Sequence, residues 1–369
     1  MFDTIRELPY DARVAKRTSF YVTISIALSF LLIWFLVSRI NAKELAETLT
    51  RIFLPALLAY MAIALLGTVL RAWRYKIFLS PRPIRRLDLL MATFIRNSFV
   101  DLLPARIGSL SFIYVLNKRL DFAFETATSA FVASFVYDFL TLSPFVVAAV
   151  FAVGLGTVSI STPALLIVAG VFFALWILIL WKLIPFFTFA LAVYGRLLGI
   201  LKWADKKWAV VSVEKIRATI ESLALIQGKR MAVPVFVLSL GIRAAKYVGL
   251  YFLLFALLRS LGFGMAELSF WKLILGINGA EITSVLPVKG LAGFGTWESA
   301  WALTMGMMGF EPRIAILSGL GIHLVTNLFE YALGIGSLFI LALPLHKNRN
   351  PKRGSQKTHG ADSKAHPPR

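Results

Sequence analysis

The sequence predicts an all-α polytopic membrane protein, and its composition is the first reason. Hydrophobic residues make up 58% of the 369 residues and charged residues 16%. Ordinary soluble domains have about 45–50% apolar and about 25% charged residues. Apolar runs also recur that can cross the bilayer, which takes about 20 helical residues for about 30 Å of hydrocarbon. Residues 20–37 and 54–70 are two clear cases.

The positions of Lys and Arg predict which loops share a side of the membrane. Of the 39 basic residues, 26 lie in segments that we assign to one side and 6 in segments of the opposite side. Cytoplasmic loops are rich in Lys and Arg, so both termini are predicted to be cytoplasmic. The net charge of +20 therefore reports topology and not a nucleic-acid partner. The basic segments are 1–17, 71–86, 118–119, 202–230 and the residues after 345.

Six full crossings and two interrupted apolar regions follow from this assignment. The interrupted regions, about 88–117 and 268–310, contain LPARIG and LPVKGLAGFG. Each is predicted to be a re-entrant helical hairpin, because a single crossing there would invert the charge assignment downstream. Non-helical backbone at membrane depth is tolerated when it is buried in protein or lines a wet cavity. The crossings are about 20–38, 53–71, 126–152, 163–184, 232–258 and 314–343, which gives eight membrane segments with the hairpins.

The segments outside this core are predicted from composition. Residues 1–18 form a cytoplasmic N-terminal segment, 19–345 the integral membrane domain, and 346–369 a disordered basic cytoplasmic tail with few apolar residues. Within the membrane domain, 185–201 is either an interfacial helix or a further partial insertion. Residues 202–230 are predicted to be a cytoplasmic amphipathic linker.

Matching landmarks in the two halves of the membrane domain predict an inverted repeat, about 19–153 and 163–343. Arg-Ala-x-basic-Tyr occurs at 71–75 and 243–247, followed in each half by a Leu-Pro-x-basic hairpin and by a helix with one acid. The order is the same, although the spacings differ by about ten residues. Because each half has three crossings and one hairpin, the second copy is upside down. Alternating-access transporters use this plan to hold a polar substrate between broken helices near the bilayer midplane.

Ionisable residues in the apolar segments are the candidates for a polar chamber. Each costs at least about 2.5–3.5 kcal/mol on insertion scales, so such residues persist when they are paired or functional. Asp138 shares a helix face with Ser134, Tyr137 and Thr141, and a second face carries polar residues at i, i+4 and i+7. That second set is His323, Asn327 and Glu330.

Two interpretations of the buried charges stay open. Arg106 with Asp138, and Lys289 with Glu330, are either structural ion pairs that close the core or groups that line a substrate or proton pathway. Which of the two applies depends on contacts that spacing does not reveal.

The stretch GLAGFGTWE raises a similar choice. Gly293-x-Gly295 is not a dinucleotide fingerprint, because no strand precedes it, and its glycines suit a tight turn and close backbone approach. Glu298 either caps the returning helix, where an acid suits the helix dipole, or faces substrate. His323 is either a satisfied core histidine or a proton-coupling group.

Enzyme signatures are missing, so we expect no catalytic residues, cofactor or metal. The chain has no Cys, which excludes disulfides and zinc thiolates, and it has no HExxH, GxSxG or P-loop motif. An intramembrane transferase with Asp138 or His323 as base is disfavoured, because neither a nucleophile nor a metal set stands near them. Transport would therefore use a gradient or equilibrate its substrate.

These landmarks resemble the lysylphosphatidylglycerol-synthase transmembrane-region family, the flippase-like half of multiple-peptide-resistance factors. The motifs are the Arg-rich end of the second helix, Asn97 ahead of LLPARIG, Asp138 in FVYDFL, and SVLPVKGLAGFGTWE, within about 15–345. The resemblance implies a lipid translocase of the bacterial cytoplasmic membrane that moves aminoacylated phosphatidylglycerol to the outer leaflet. Family members often have Gly-Glu at Gly108-Ser109 and an acidic-basic pair at Ser134-Phe135, so the substrate stays open.

The preferred hypothesis is a translocase for a phospholipid, an aminoacyl-phospholipid or a polyprenyl-linked lipid. The alternative is a non-transporting accessory protein of a lipid or glycan synthesis pathway. Expected partners are membrane lipids and a separately encoded lipid-synthesising enzyme, since the aminoacyl-transferase domain of the full-length factors is not expected here. The candidate substrate-binding residues are Arg71, Arg74, Asn97, Pro104, Arg106, Gly108, Asp138, Arg243, Pro287, Lys289, Gly293, Gly295, Glu298, His323, Asn327 and Glu330.

Overall fold

The computed structural model describes residues 42–100, 108–157, 182–228, 232–283 and 293–342, with isolated positions at 31, 34, 35, 38, 171, 174 and 178. These residues form eleven α-helices, and no strand occurs among them. The helices are α1 Ala42–Thr50, α2 Leu54–Phe78, α3 Arg86–Val100, α4 Ser111–Lys118, α5 Phe124–Thr157, α6 Leu183–Ile200, α7 Lys207–Gly228, α8 Ala232–Leu258, α9 Phe270–Ile282, α10 Thr296–Met307 and α11 Pro312–Ala342.

Four of these helices are long and apolar enough to cross a membrane. The candidate spans have a mean hydropathy between 1.5 and 1.9 and correspond to α2, α5, α8 and α11. The prediction of an all-helical, multi-pass membrane protein is confirmed at this level. The four spans match the second, third, fifth and sixth predicted crossings, and α6 is a shorter apolar helix.

Other predicted segments lie almost entirely outside the described residues. These are the first and fourth crossings, 20–38 and 163–184, the N-terminal segment 1–18 and the tail 346–369.

The longest helix contact joins α2 and α8, which run antiparallel. Small residues line this seam: a Cβ on Gly67 would lie in van der Waals contact with Ala245 Cβ at 3.5 Å, and one on Gly249 with Ile63 Cγ2 at 3.4 Å. Helices in lipid gain little from the hydrophobic effect, so small residues at the seam stabilise their association through van der Waals packing.

Helix α3 begins and helix α4 ends at the same end of the bundle, beside the C-terminus of α2. Arg82, in the connection between α2 and α3, donates a hydrogen bond of 2.5 Å to the carbonyl of Asp121, just past α4. The Arg82 guanidinium also lies over the Phe122 ring, 4.6 Å from its centroid. Residues 101–107, between the two helices, lie outside the described part of the chain.

At the opposite end of the bundle, helix α9 begins and helix α10 ends, and a side-chain hydrogen bond joins these two termini. That end is marked by the start of α2, where the Phe53 amide donates to the Ala256 carbonyl at 2.9 Å. Lys272 Nζ, in the first turn of α9, donates to the carbonyl of Met308, just past α10, at 2.7 Å. Residues 284–292, which connect these helices, lie outside the described residues.

The short helix α1 was not predicted from the sequence. Its Glu44 forms an ion pair with Arg313 in the first turn of α11. The helix therefore lies at the same end as the start of α2 and the connection from α10 to α11.

Helices α3 and α11 cross at a glycine, which yields a prediction about stability. A Cβ on Gly334 would lie 1.7 Å from Ser98 Oγ and 2.4 Å from Ser98 Cβ, whereas nothing lies within 4 Å of a Cβ on Gly336. Gly334→Ala should lower the free energy of unfolding by about 1–3 kcal/mol, because an overpacked seam forces the helices apart. Unfolding in detergent micelles measures the effect.

The matched control is Gly336→Ala on the same helix. It should leave stability unchanged or raise it by up to about 1 kcal/mol, the helix-propensity gain of Ala over Gly. Equal stability of Gly334→Ala and Gly336→Ala would contradict the close α3–α11 crossing.

Candidate functional site

The first candidate site is centred on Arg74, which is 0% exposed on α2. Its Nη1 lies 2.8 Å from Asp138 Oδ1 and donates to Ser239 Oγ at 2.8 Å, while Nη2 donates to Ser134 Oγ at 2.5 Å. Ser134 and Asp138 are one turn apart on α5, and Ser239 is on α8. The planar guanidinium fork can hold several acceptors at once, so this side chain joins three of the candidate spans.

Two further arginines contact Asp138. Arg71, one turn before Arg74, places Nη1 3.8 Å from Asp138 Oδ2, and both side chains keep some exposure, 19% and 18%. Arg243 on α8 donates from Nη2 to the backbone carbonyl of Asp138 at 2.5 Å. Asp138 is thus the acid around which these arginines gather.

A fourth arginine, Arg96 on α3, had no role assigned from the sequence. It is buried and donates from Nη1 to Asn97 Oδ1 at 3.1 Å, and Asn97 Nδ2 donates to Thr68 Oγ1 at 3.4 Å. The charges of Arg96 and Arg243 both act on Arg71. The one sequence signal was a basic residue inside an apolar helix.

We call Arg71, Arg74, Arg96, Arg243 and Asp138 the arginine cluster. Arg71 and Arg74 pair with the Asp138 carboxylate, Arg243 bonds its backbone carbonyl, and Arg96 lies near Arg71. Charges at such depth are costly, and among these five residues the surplus is positive. The cluster is therefore suited to hold an anionic group, since Arg binds phosphate and carboxylate through paired, charge-assisted hydrogen bonds.

The second candidate site is a hydrogen-bonded pair of Glu298 on α10 and His323 on α11. Glu298 Oε1 lies 2.5 Å from His323 Nδ1, and Oε2 accepts the Gly295 amide at 2.8 Å. The Glu298 side chain is 0% exposed and the His323 side chain 6%. One carboxylate oxygen of Glu298 thus caps α10, which was one of the two interpretations of this residue. The other oxygen lies within hydrogen-bond distance of the imidazole.

Aromatic rings enclose the imidazole. The His323 ring lies 4.5 Å from the Phe294 centroid and 5.0 Å from that of Trp297, with which it stacks. Gly293 closes the site, since a Cβ there would lie 3.7 Å from His323 Nε2. Its φ of 81° favours glycine.

Asn327, one turn along α11 from His323, is buried, and its Nδ2 has no hydrogen-bond partner among the described residues. One turn further, the backbone carbonyl of Glu330 accepts Ser98 Oγ from α3 at 2.5 Å. The predicted stripe of His323, Asn327 and Glu330 thus runs from the Glu298 pair towards α3.

Four predicted site residues, Pro104, Arg106, Pro287 and Lys289, lie outside the described residues. The predicted ion pairs of Arg106 with Asp138 and of Lys289 with Glu330 lie outside them too.

The sequence-predicted Gly108 is described. A Cβ there would lie 1.5 Å from the Phe99 carbonyl oxygen, so the chain approaches α3 closely at this point.

Two contacts, one partly buried and one buried, were missed by sequence reasoning. Lys246 on α8 pairs with Glu281 near the end of α9, and Trp301 Nε1 donates to Ser318 Oγ at 3.1 Å. Lys246 occupies the position in RAAKY that Arg74 occupies in RAWRY. The repeat could have indicated Lys246 as a candidate, but it gave no signal for Glu281 as its partner.

We expect loss of one partner to lower the free energy of unfolding more for the buried Arg74–Asp138 pair than for a partly exposed ion pair. Asp138→Asn should lower the free energy of unfolding by about 3–5 kcal/mol, because it leaves the buried Arg74 charge uncompensated. Lys215→Gln, which breaks the partly exposed pair with Glu125 at 2.7 Å, should change it by less than about 1 kcal/mol. Unfolding in micelles measures both. Similar losses for the two variants would contradict the central role of the Arg74–Asp138 pair.

Comparisons with known proteins agree with the membrane fold. None of the curated proteins matches the chain. Residues 22–334 match the family described as the lysylphosphatidylglycerol synthase TM region, a stretch that includes both candidate sites. The match covers most of the 369 residues and agrees with the resemblance seen in the motifs. The chain therefore belongs to the lysylphosphatidylglycerol synthase TM region family.

Proposed function

We propose that the protein is a lipid translocase that carries a phosphate-containing lipid head group between the leaflets of the membrane. The observation that carries this proposal is the arginine cluster, a positive surplus among membrane helices of a family connected with lipid biology. A lipid phosphate supplies the missing negative charge. Guanidinium groups bind it through charge-assisted hydrogen bonds that strengthen where water is scarce.

The accessibility of the cluster supports a ligand that arrives from outside the protein. Arg74 is fully enclosed, whereas Arg71 and Asp138 keep about one fifth of their side-chain surface exposed. Arg74 is thus fixed in place by its three partners, while Arg71 and Arg243 reach a ligand more readily. A phospholipid, an aminoacyl-phospholipid and a polyprenyl-linked lipid share the phosphate that this cluster would bind.

We propose that the two halves are inverted repeats with one re-entrant hairpin each. Three features support this: α2 and α8 pack antiparallel, α3 packs on α11 while α9 packs on α5, and the two hairpin helix pairs are tied at opposite ends of the bundle. Hairpins entering from opposite sides would give the arginine cluster alternating access to the two leaflets.

We further propose that the protein lies in the bacterial cytoplasmic membrane with both termini in the cytoplasm. The end of the bundle at the connection of α2 and α3 carries Arg82, Arg85 and Arg86, with Lys118 at the end of α4 and Arg119 just after it close by. Clusters of this kind face the cytoplasm in most membrane proteins.

The chain itself is proposed to catalyse no reaction and to receive its lipid from a separately encoded enzyme. No nucleic-acid partner is proposed, because the basic residues are explained by topology.

The proposed orientation can be tested by labelling, because the chain has no Cys of its own. In spheroplasts, an impermeant maleimide should label Glu311→Cys, which is exposed at the α1 end of the bundle, without permeabilisation. It should label Asp205→Cys, exposed between α6 and α7, only after permeabilisation. The Cys-free parent is the control, and labelling of Asp205→Cys in intact spheroplasts would reverse the proposed orientation.

Lipid movement tests the proposed function directly. In proteoliposomes, fluorescent phosphatidylglycerol, its lysyl derivative and an undecaprenyl-phosphate sugar are each followed by bleaching with an impermeant reductant. At least one should move in the presence of the protein. Arg71→Gln and Arg243→Gln should each slow that movement at least about tenfold. The reason is that a hydrogen bond to a charged group contributes about 1.5–3 kcal/mol, and 1.4 kcal/mol is about tenfold.

The matched control is Arg259→Gln, an arginine at the opposite end of the bundle, which lies over the Phe255 ring. It should move lipid at the wild-type rate. Wild-type rates in both cluster variants would contradict the role of the cluster. No movement of any of the three lipids, from folded protein, would overturn the translocase and favour an accessory protein of lipid synthesis.

A further inference from the structure

We propose that the Glu298–His323 pair is a proton-binding site that couples lipid movement to the proton gradient, with one proton carried in the same direction as each lipid. This inference rests on the proposed lipid translocation and names its energy source. It is carried by the geometry of the pair, its position between two helices, and the packing of its helix α11 against α3, which carries Arg96 of the arginine cluster.

The pair is built to hold a proton. A carboxylate oxygen and an imidazole nitrogen lie 2.5 Å apart, in a site that is enclosed by protein. One shared proton makes the pair electrically neutral overall, whichever of the two atoms carries it. Loss of that proton leaves a net negative charge at membrane depth, where a charge is costly. The occupancy of this site by a proton therefore has a large effect on the stability of the conformation around it.

The pair also spans a contact that a conformational change would alter. Glu298 lies in the first turn of α10, the return helix of the second hairpin, and His323 lies on the candidate span α11. The chain enters α10 through Gly293 and Gly295, whose φ values of 81° and 87° favour glycine. If α10 moved relative to α11, Glu298 would leave its imidazole partner, so proton binding and hairpin position are linked.

Buried polar groups on α11 lie between the pair and the helix that carries Arg96. Asn327 lies one turn beyond His323, and its Nδ2 has no partner in the described part of the chain. Further along α11, the Glu330 carbonyl accepts a hydrogen bond from Ser98 Oγ. Ser98 lies two residues from Arg96 on α3. A helix that carries both Arg96 and Ser98 is thus in contact with the helix that carries His323.

Among the described residues, Glu298 is the charged group that lies within hydrogen-bond distance of His323. The other elements reach α11 away from the imidazole or through uncharged groups. These contacts are Glu44 of α1 at Arg313, Leu257 of α8 at Gly321, Phe94 and Ser98 of α3 at Glu330 and Gly334, and Tyr60 of α2 at Phe329, with the Glu330 charge acting on Tyr60.

The two sites are separate and bind opposite charges, which favours co-transport. Exchange of one ligand for another commonly depends on competition for a shared group, and no group in the described part of the chain is common to both sites. A head-group phosphate on the arginine cluster and a proton on the Glu298–His323 pair can be present together. A singly charged phosphate and one proton together add no net charge to the two membrane-embedded sites, whereas either ligand alone changes their charge by one unit.

The test uses the full-length protein in proteoliposomes with a trace of fluorescent phosphatidylglycerol, or of whichever of the three lipids moves. The membrane potential is held at zero with potassium and valinomycin, and a pH difference of one unit is imposed. The leaflet distribution at steady state is read by bleaching. Coupling to one proton should enrich the lipid about tenfold in the leaflet that faces the alkaline side, since one pH unit corresponds to about 1.36 kcal/mol.

Two variants and one control assign the proton to the pair. Glu298→Gln keeps an oxygen that can accept the Gly295 amide but cannot bind a proton, and His323→Gln removes the imidazole. Both should still move lipid while the steady-state ratio falls to one. Ser337→Ala is the control: this buried α11 serine bonds to the carbonyl of Leu333 in its own helix, so the variant should keep the tenfold ratio. Monodisperse elution and the unfolding midpoint show whether each variant is folded.

Each result has one consequence. A wild-type ratio of one, with lipid movement that Arg71→Gln slows, overturns the coupling and leaves the translocase standing. Enrichment on the acidic side overturns co-transport in favour of exchange. An unchanged tenfold ratio in folded Glu298→Gln or His323→Gln overturns the assignment to this pair. No lipid movement in the wild type overturns the translocase, and the coupling with it. If neither variant folds, the wild-type ratio still decides whether a proton is coupled.

Discussion

The interaction on which this structure depends is the buried ion pair of Arg74 and Asp138. A guanidinium group enclosed among membrane helices must have partners for its charge and its donors. Asp138, Ser134 and Ser239 supply them from α5 and α8. The need of Arg74 for these partners brings α2, α5 and α8 together at its guanidinium group. Because a buried ion pair gives little net stability compared with apolar packing, its presence is better explained by which helices it joins and by the charge that it leaves nearby.

That remaining charge gives the interior its chemistry. Arg71 shares the Asp138 carboxylate with Arg74, and Arg96 and Arg243 add positive charge nearby, so these guanidinium groups repel one another. A phosphate, as proposed above, would relieve this repulsion, and a differential affinity for it in two conformations would shift the population between them. The glycine seam between α2 and α8 keeps the backbones close, so the long guanidinium side chains, rather than the helix axes, can adapt to the ligand.

The sequence predicted the parts of this arrangement that depend on local properties. The spans α2, α5, α8 and α11 follow from apolar length, and Arg74, Asp138, Glu298 and His323 stood out because charge is rare in such segments. Partners were harder to predict, because they belong to helices that are far apart in the chain. Spacing suggested Arg106 and Lys289 for the two acids, yet nothing local indicates that Arg74 faces Ser239 or that Lys246 meets Glu281. The amphipathic helix α1 is short, so its pattern was too weak to predict it.

The two halves use matching landmarks for different chemistry. RAWRY in the first half and RAAKY in the second place a basic residue at the same point, but Arg74 serves a surplus of positive charge whereas Lys246 is matched by Glu281. Within the second hairpin, the acid Glu298 pairs with the imidazole of His323. A scaffold with two similar halves can favour opposite openings to a similar degree, because each opening exchanges equivalent contacts. The proposed lipid and proton sites within it are unequal, so their ligands, and not the scaffold, would set the direction of movement.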